Sequence, residues 1–322
     1  MTAGLCSTID GVLVGHAHDA MTLTGCTVLI FPPGTACGID VRGGAPGTRE
    51  TDLLAPHATV QHIDAICLAG GSAYGLAATT GVMTWLREQG RGFETPIARV
   101  PIVPSAVLFD LALGRADCWP DADMGYAACV AAQQCVEEGC VGAGIGASVG
   151  KLFGVSQSTK SGLGYVRRTL VEGVSIAALA VTNAFGDVYQ DHDGTILAGA
   201  RLPSGGFAHT NKLLCAQGLG EQQLTFSGGN TTLAVVMTDA KLDKAGCTSL
   251  AIMAQDALAR TIRPIHTAFD GDVVFAAATG THAAPHSIIL GTIAAQVLAE
   301  AIERSVLMAT SMGGLPAAGD LR

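Results

Sequence analysis

The sequence predicts a mixed α/β fold of layered sheets covered by helices, and three observations carry that prediction. Short apolar runs rich in β-branched residues recur along the chain, helical periodicity appears in four stretches, and the last third alternates strand, helix, strand, helix. No Pro/Gly/Ser-rich linker interrupts the pattern, so residues 1–322 are expected to form a single integrated domain.

Taken in order, "GCTVLIF" (25–31) and "AICLAG" (65–70) are continuous apolar runs of strand length. Residues 73–89 and 121–138 follow with helical spacing, the second Ala-rich. "VSIAALAVT" (174–182) reads as a strand, and then come strand 231–239 ("TTLAVVMTD"), helix 246–261, strand 272–279 ("DVVFAAAT") and helix 285–308. Between these lie Gly-rich loops, "RGGAPGTRE" (42–50), "AGGSAYG" (69–75) and "VGAGIGASVGK" (141–151), where glycine permits positive φ and close backbone approach to a ligand.

Composition narrows the function. Hydrophobic residues make up 49% of the chain and charged residues only 14%, and 42 glycines point to a large core of small side chains. A net charge of −9 without any Lys/Arg run argues against nucleic acid as a partner. The opening "MTAGLCSTIDGVLVGHAHDA" lacks a basic stretch followed by an apolar one, and no apolar segment reaches the ~18 residues of a membrane span, so a soluble, cytoplasmic protein is expected. Ten cysteines are scattered without a CxxC pair, which reads as buried free thiols in a reducing compartment. Cys129, Cys135 and Cys140 fall on the Ala-rich helical pattern; no metal and no cofactor are expected.

Several motifs fall short of a known chemistry. "GAGIGA" (142–147) matches a dinucleotide fingerprint in form, but it follows the polar "VEEGC" and no acidic residue stands near 167 to hold a ribose. The Gly-Lys at 150–151 lacks the first P-loop glycine, because 145 is Ile, and Leu152 cannot bind magnesium. "DHDG" (191–194) reads as an Asx-rich turn between strands. His266 in "RPIHTAFDGD" precedes two carboxylates, which suits either a supporting role at a site or a structural hydrogen bond. The serine of "GGSAYG" is out of register for a nucleophile elbow.

"SGGNTTLAVVMTDA" (227–240) is different, since a flexible Ser-Gly-Gly-Asn runs directly into Thr231 and an apolar strand. A threonine hydroxyl needs an adjacent base, and its own α-amine can serve if the chain is cut between Asn230 and Thr231. The local sequence also fits a hairpin turn with Asn in the left-handed region.

Segments along nearly the whole chain resemble the DmpA-like family of self-processing aminopeptidases. They include "GVLVGHAHD" (11–19), "TGCTVLIFPPG" (24–34), "DVRGGAPGTRETDLL" (40–54), "AICLAGGSAYGLAATTGVMTWL" (65–86), "VPIVPSAVLFDL" (100–111), "GAGIGASVGK" (142–151), "NTTLAVVMTDA" (230–240) and "FDGDVVFAAATG" (269–280). The resemblance implies a four-layer α/β/β/α sandwich, similar in layering to N-terminal nucleophile hydrolases but different in connectivity. It also implies self-cleavage at Asn230-Thr231 into 1–230 and 231–322, with Thr231 as nucleophile. By the same resemblance Asp270 and Asp272 support the nucleophile, Lys151 and Asn183 hold active-site positions, and Tyr74 contacts substrate or the oxyanion. Two aspartates at 270 and 272 are similar to the branch acting on 6-aminohexanoate (nylon) oligomers, whereas "RGGAPGTRETDLL" is closer to ordinary peptidases. The implied partners are a small peptide or amide substrate and further copies of the cleaved protomer, as a homo-oligomer or tetramer. Two other functions fit the residues: acyl transfer to an amine, as in ornithine acetyltransferases, and a non-enzymatic Gly-rich binding protein in which 227–232 is only a turn.

Overall fold

A computed structural model describes residues 7–170, 173–216 and 229–321. Two five-stranded sheets form the centre. The first has the order Leu13–Asp19, Thr24–Ile30, Ala65–Ala69, Ser105–Val107, Thr48–Arg49. The second has the order Leu163–Thr169, Ser175–Asn183, Thr231–Ala240, Asp272–His282, Ala36–Arg42. Its central pair, Thr231–Ala240 and Asp272–His282, is parallel. Parallel neighbours need a crossover, and helices Lys244–Ala254 and Asp256–Thr261 provide it.

Side-chain alternation along each strand sorts the core into layers. Leu233, Val235 and Met237 pack with Leu179, Val181, Val273 and Phe275 against Leu29, Ile66 and Leu68 of the first sheet. Ala234 and Val236 point the other way, with Ala178, Ala276 and Ala278, onto Ala251, Ala254, Val297, Leu298 and Ile302 of the outer helices. The far face of the first sheet, Cys26, Val28, Ala65 and Cys67, is covered by Ala78, Val82 and Leu86 of helix Ala78–Glu88 and by Ala128 and Cys129 of helix Ala122–Val130. The result is the expected α/β/β/α sandwich. Small residues on the helix-facing side let helix Ser287–Leu307 approach closely: a Cβ on Gly164 would lie 2.1 Å from the Ala301 carbonyl oxygen. Met237→Ala would empty part of the inter-sheet layer, a loss of about 2–5 kcal/mol for a fully buried methionine.

The five expected strands are present with ends within three residues of those expected, and the last expected helix matches Ser287–Leu307. The expected 121–138 helix stops at Val130, because residue 133 leaves it to pair with the edge strand: Gln133 N–H donates to the Val14 carbonyl and Val14 N–H to that of Gln133. Cys135 and Cys140 are therefore not on a helix, and only Cys129 is. The 73–89 stretch opens as a 3-10 turn, Ser72–Ala77, before its α-helix, and 246–261 divides at Gln255. "DHDG" is the turn expected, with Thr195 N–H donating to Asp193 Oδ1 at 2.9 Å. Strands Leu13–Asp19, Ala36–Arg42 and Leu163–Thr169 went unpredicted, since half-buried ends and interleaved Gly or charged residues blur their periodicity.

Candidate active site

Thr231 opens the central strand of the second sheet, paired with Asn183 at the end of Ser175–Asn183. Asn230 continues the parallel pairing one residue back, bridging to Asp270: its N–H donates to the Phe269 carbonyl at 2.9 Å, and its carbonyl accepts the Gly271 N–H at 2.8 Å. The Thr231 hydroxyl lies 2.5 Å from that same carbonyl oxygen, as its donor. Asn230 has none of the positive φ that a left-handed hairpin turn requires, so the turn reading fails at this residue. Ser227 and Gly228 of the hinge lie outside the described residues.

The "HTAFDGD" turn positions both carboxylates. Asp272 Oδ1 accepts the Thr232 N–H at 2.7 Å, while Oδ2 meets His266 Nδ1 at 2.8 Å. Asp270 Oδ2 accepts the Thr267 N–H at 2.8 Å and its hydroxyl at 2.6 Å. Both aspartates are fully buried. Burial and the neighbouring Asp272 charge push the Asp270 carboxyl up, against the Thr267 hydrogen bonds and the Lys151 charge. Buried Asp270 Oδ1, Asn230 Oδ1, Thr232 Oγ1 and His266 Nε2 have no hydrogen-bond partner in the structure. His266 also sits at φ 55°, a costly region for a residue with a Cβ. The 42–47 loop reaches this turn through glycine: a Cβ on Gly43 would lie 2.3 Å from the Asp270 carbonyl oxygen.

On the opposite side, Gly150 at φ 74° turns the chain so that Lys151 enters the interior; a Cβ there would lie 2.0 Å from the Ala200 nitrogen. Lys151 Nζ donates to Asn183 Oδ1 at 2.7 Å and to the Asn183 carbonyl at 3.0 Å. Ser148 N–H donates to the same Oδ1 at 3.1 Å, which fixes the amide's orientation, and Nδ2 donates to the Phe109 carbonyl at 2.9 Å. One amide hydrogen of Asn183 is left over. Burial pulls the Lys151 amine down to about 7, opposed by the charges of Asp270 and Asp110. A cavity of ≈ 10 Å³, room for about one water, lies between Lys151, Asn183, Phe109, Asp110, Ser148 and Gly229.

Thr231, Asn183, Lys151, Asp270 and Asp272 thus converge. Tyr74 does not join them by any hydrogen bond among the described residues: it is 59% exposed, its ring stacked on Trp119 with centroids 4.5 Å apart. Sequence reasoning left His266 undecided and missed Thr267, Asp110 and the Gly271 N–H. An acid inside the apolar "VLFDL" was a usable signal for Asp110, since carboxylates are seldom fully buried without purpose. The "GAGIGA" loop serves the structure instead, because the carbonyls of Gly144 and Ala147 accept from the buried Lys160 ammonium. The nine cysteines among the described residues are free, and no group of His, Cys, Asp or Glu there could hold a metal. No helix among the described residues is long and apolar enough to cross a membrane.

Solved structures share this layering. An L-aminopeptidase D-Ala-esterase/amidase from Ochrobactrum anthropi, a variant of the Ntn hydrolase fold, superposes with a TM-score of 0.70 at 17% identity over 96% of this chain and 87% of its own. A Burkholderia β-aminopeptidase does so with a TM-score of 0.67 at 20% identity, covering 96% and 89%. Among sequences, an uncharacterized aminopeptidase of Mycobacterium tuberculosis is 43% identical over 97% of this chain and 96% of its own length. A 6-aminohexanoate-oligomer endohydrolase of Agromyces is 32% identical over 91% and 83%. Fold and relatives together define a peptidase or amide hydrolase whose layering is that of the Ntn hydrolase fold. The chain belongs to peptidase family S58, which it matches over residues 7–318, and this sets aside the acyltransferase and the Gly-rich binding protein.

Proposed function

We propose that the chain cuts itself between Asn230 and Thr231, and that Thr231 then hydrolyses amide bonds in small peptides or linear oligoamides. One observation carries the reading: the Thr231 hydroxyl rests on the Asn230 carbonyl, which the Gly271 N–H already polarises. In maturation, Oγ1 adds to the Asn230 carbonyl carbon and the C–N bond breaks. The acyl group passes from nitrogen to oxygen and the Thr231 amine is released; water then hydrolyses the ester, leaving Asn230 as a carboxylate. In turnover, Oγ1 attacks the substrate carbonyl while the α-amine takes the hydroxyl proton and passes it to the departing amine. A second water releases the acyl group.

The surrounding residues support both phases. Asp272 holds the backbone beside the nucleophile through Thr232 N–H, and the unbonded Asp270 Oδ1 offers an acceptor to the new amine. Lys151, poised near neutrality, favours the unprotonated amine by its charge, and the spare Asn183 hydrogen can meet the oxyanion. Tyr74, exposed and stacked on Trp119, is assigned to substrate contact by the family resemblance alone. The names of the relatives support aminopeptidase and oligoamide substrates, and paired aspartates favour the second.

Strands on both sides of the cut share the second sheet, which favours fragments that stay together as one domain. Cleaved protomers are expected to associate further, up to a tetramer, in the cytoplasm. Intact mass and N-terminal sequencing test the reading. Wild type should yield a 92-residue fragment (322 − 230) of about 9.3 kDa, scaling 32.6 kDa by 92/322, that begins Thr-Thr-Leu-Ala. Thr231→Ala should stay whole and lose about 10³-fold or more in activity. An intact wild-type chain that still hydrolyses amides would sink it.

A further inference from the structure

Asp110 belongs to no role assigned so far, although it lines the same cavity as Lys151 and Asn183. It is buried, yet it forms no ion pair within 4 Å among the described residues. Its Oδ1 accepts the Gly71 N–H at 2.7 Å and its Oδ2 the Thr24 hydroxyl at 2.8 Å. Two Gly-rich loops close over it without side chains: a Cβ on Gly70 would lie 2.0 Å from Oδ2, and one on Gly146 2.7 Å. The backbone around it is equally committed, since Ser72 N–H donates to the Leu108 carbonyl at 2.9 Å and the Phe109 carbonyl holds Asn183 Nδ2. One carboxylate therefore joins the turn that carries Tyr74 to the segment that orients Asn183.

We propose that Asp110 is a positioning residue of the hydrolase site, locking the Tyr74 turn against the Asn183 support and supplying a negative field that holds the Lys151 amine protonated. The inference rests on the active-site reading above. Three charged groups act on Lys151: Asp270 and Asp110, which favour its proton, and Lys160, which opposes it. Lys151 is in turn the cation whose charge acts on the Asp110 carboxyl, which burial pushes up to about 6. Both partners thus titrate close to neutrality within one cavity, so a change in either moves the other.

The test reads Lys151 directly. Thr231→Ala full-length chain carrying 13C-labelled lysine is titrated by NMR, with the Lys151 signal assigned by its loss in Lys151→Met. The midpoint is expected near 7 and should fall by about half a unit or more when Asp110→Asn is added, because an opposite charge is removed. An unchanged midpoint overturns the proposal and leaves Asp110 a packing residue. Should Asp110→Asn fail to fold, Thr24→Val removes one donor, keeps Asp110 protonated to higher pH, and should lower the Lys151 midpoint by less; again, no movement overturns it. Failure of self-cleavage in wild type would remove the nucleophile reading without changing these midpoints, so the two failures are distinct.

Discussion

Two lysines, 151 and 160, are buried within nine residues of each other, and their surroundings differ in kind. Lys160 donates to three neutral backbone carbonyls, those of Gly144, Ala147 and Ser161, and ties the Gly-rich loop into a fixed shape. Lys151 donates only to Asn183 and lies in the field of Asp270 as well as that of Asp110, whose charge also reaches Lys160. Both amines are pulled down by burial. The comparison teaches that depth alone does not make a lysine functional: a cage of carbonyls spends the charge on structure, whereas the nearby Asp270 and a single amide partner leave it free to respond.

The sharpest way to break this contrast is Lys151→Met, which should cut turnover of processed enzyme by about 10²- to 10³-fold with a modest change in melting temperature. Lys160→Met should do the reverse. Three carbonyls lose their donor, stability falls by about 1–3 kcal/mol, and activity per folded molecule holds; equal kinetic losses in the two variants would erase the distinction. His266→Ala releases one side of Asp272 and should cost about 10-fold in activity, read as kcat/KM against pH, with Thr232 N–H still holding the carboxylate. Stability should also depend on pH. Folded Lys151 titrates near 7 and the unfolded side chain near its ordinary 10.5, so between these the unfolded chain binds more protons and stability rises with pH. Asp110 acts oppositely: its folded value near 6 exceeds the ordinary 3.8, and stability falls as pH rises between them. Chemical denaturation from pH 4 to 10 should show both slopes, with the upper one flattened in Lys151→Met and the lower one in Asp110→Asn.

Much of this was legible in the residues. The apolar runs 174–182, 231–239 and 272–279 became the heart of the second sheet, because a strand buried on both faces reads as a nearly continuous apolar run. Thr231 stood out because a flexible Ser-Gly-Gly-Asn runs straight into it ahead of an apolar strand, and the family resemblance gave it a role. The edge strands were less legible: Leu13–Asp19 carries two histidines and an aspartate, and its pairing depends on Thr24–Ile30 and on Gln133 arriving from elsewhere. His266 and Thr267 could not be ranked from sequence, since their value lies in reaching back to Asp272 and Asp270 around a tight turn.

The sequence by itself determined the layered α/β class, the strand that begins at Thr231, and, through its family resemblance, the residues worth watching. Those features follow from local periodicity and side-chain chemistry, which act over a few residues. Only the tertiary structure decided that Asn183 is braced by Lys151 from 32 positions away, that the Asn230 carbonyl meets the Gly271 N–H, and that Asp110 shares a cavity with Lys151. Such relations depend on sheet register and on how closely glycine lets loops approach, and both are fixed by the packing of the whole chain.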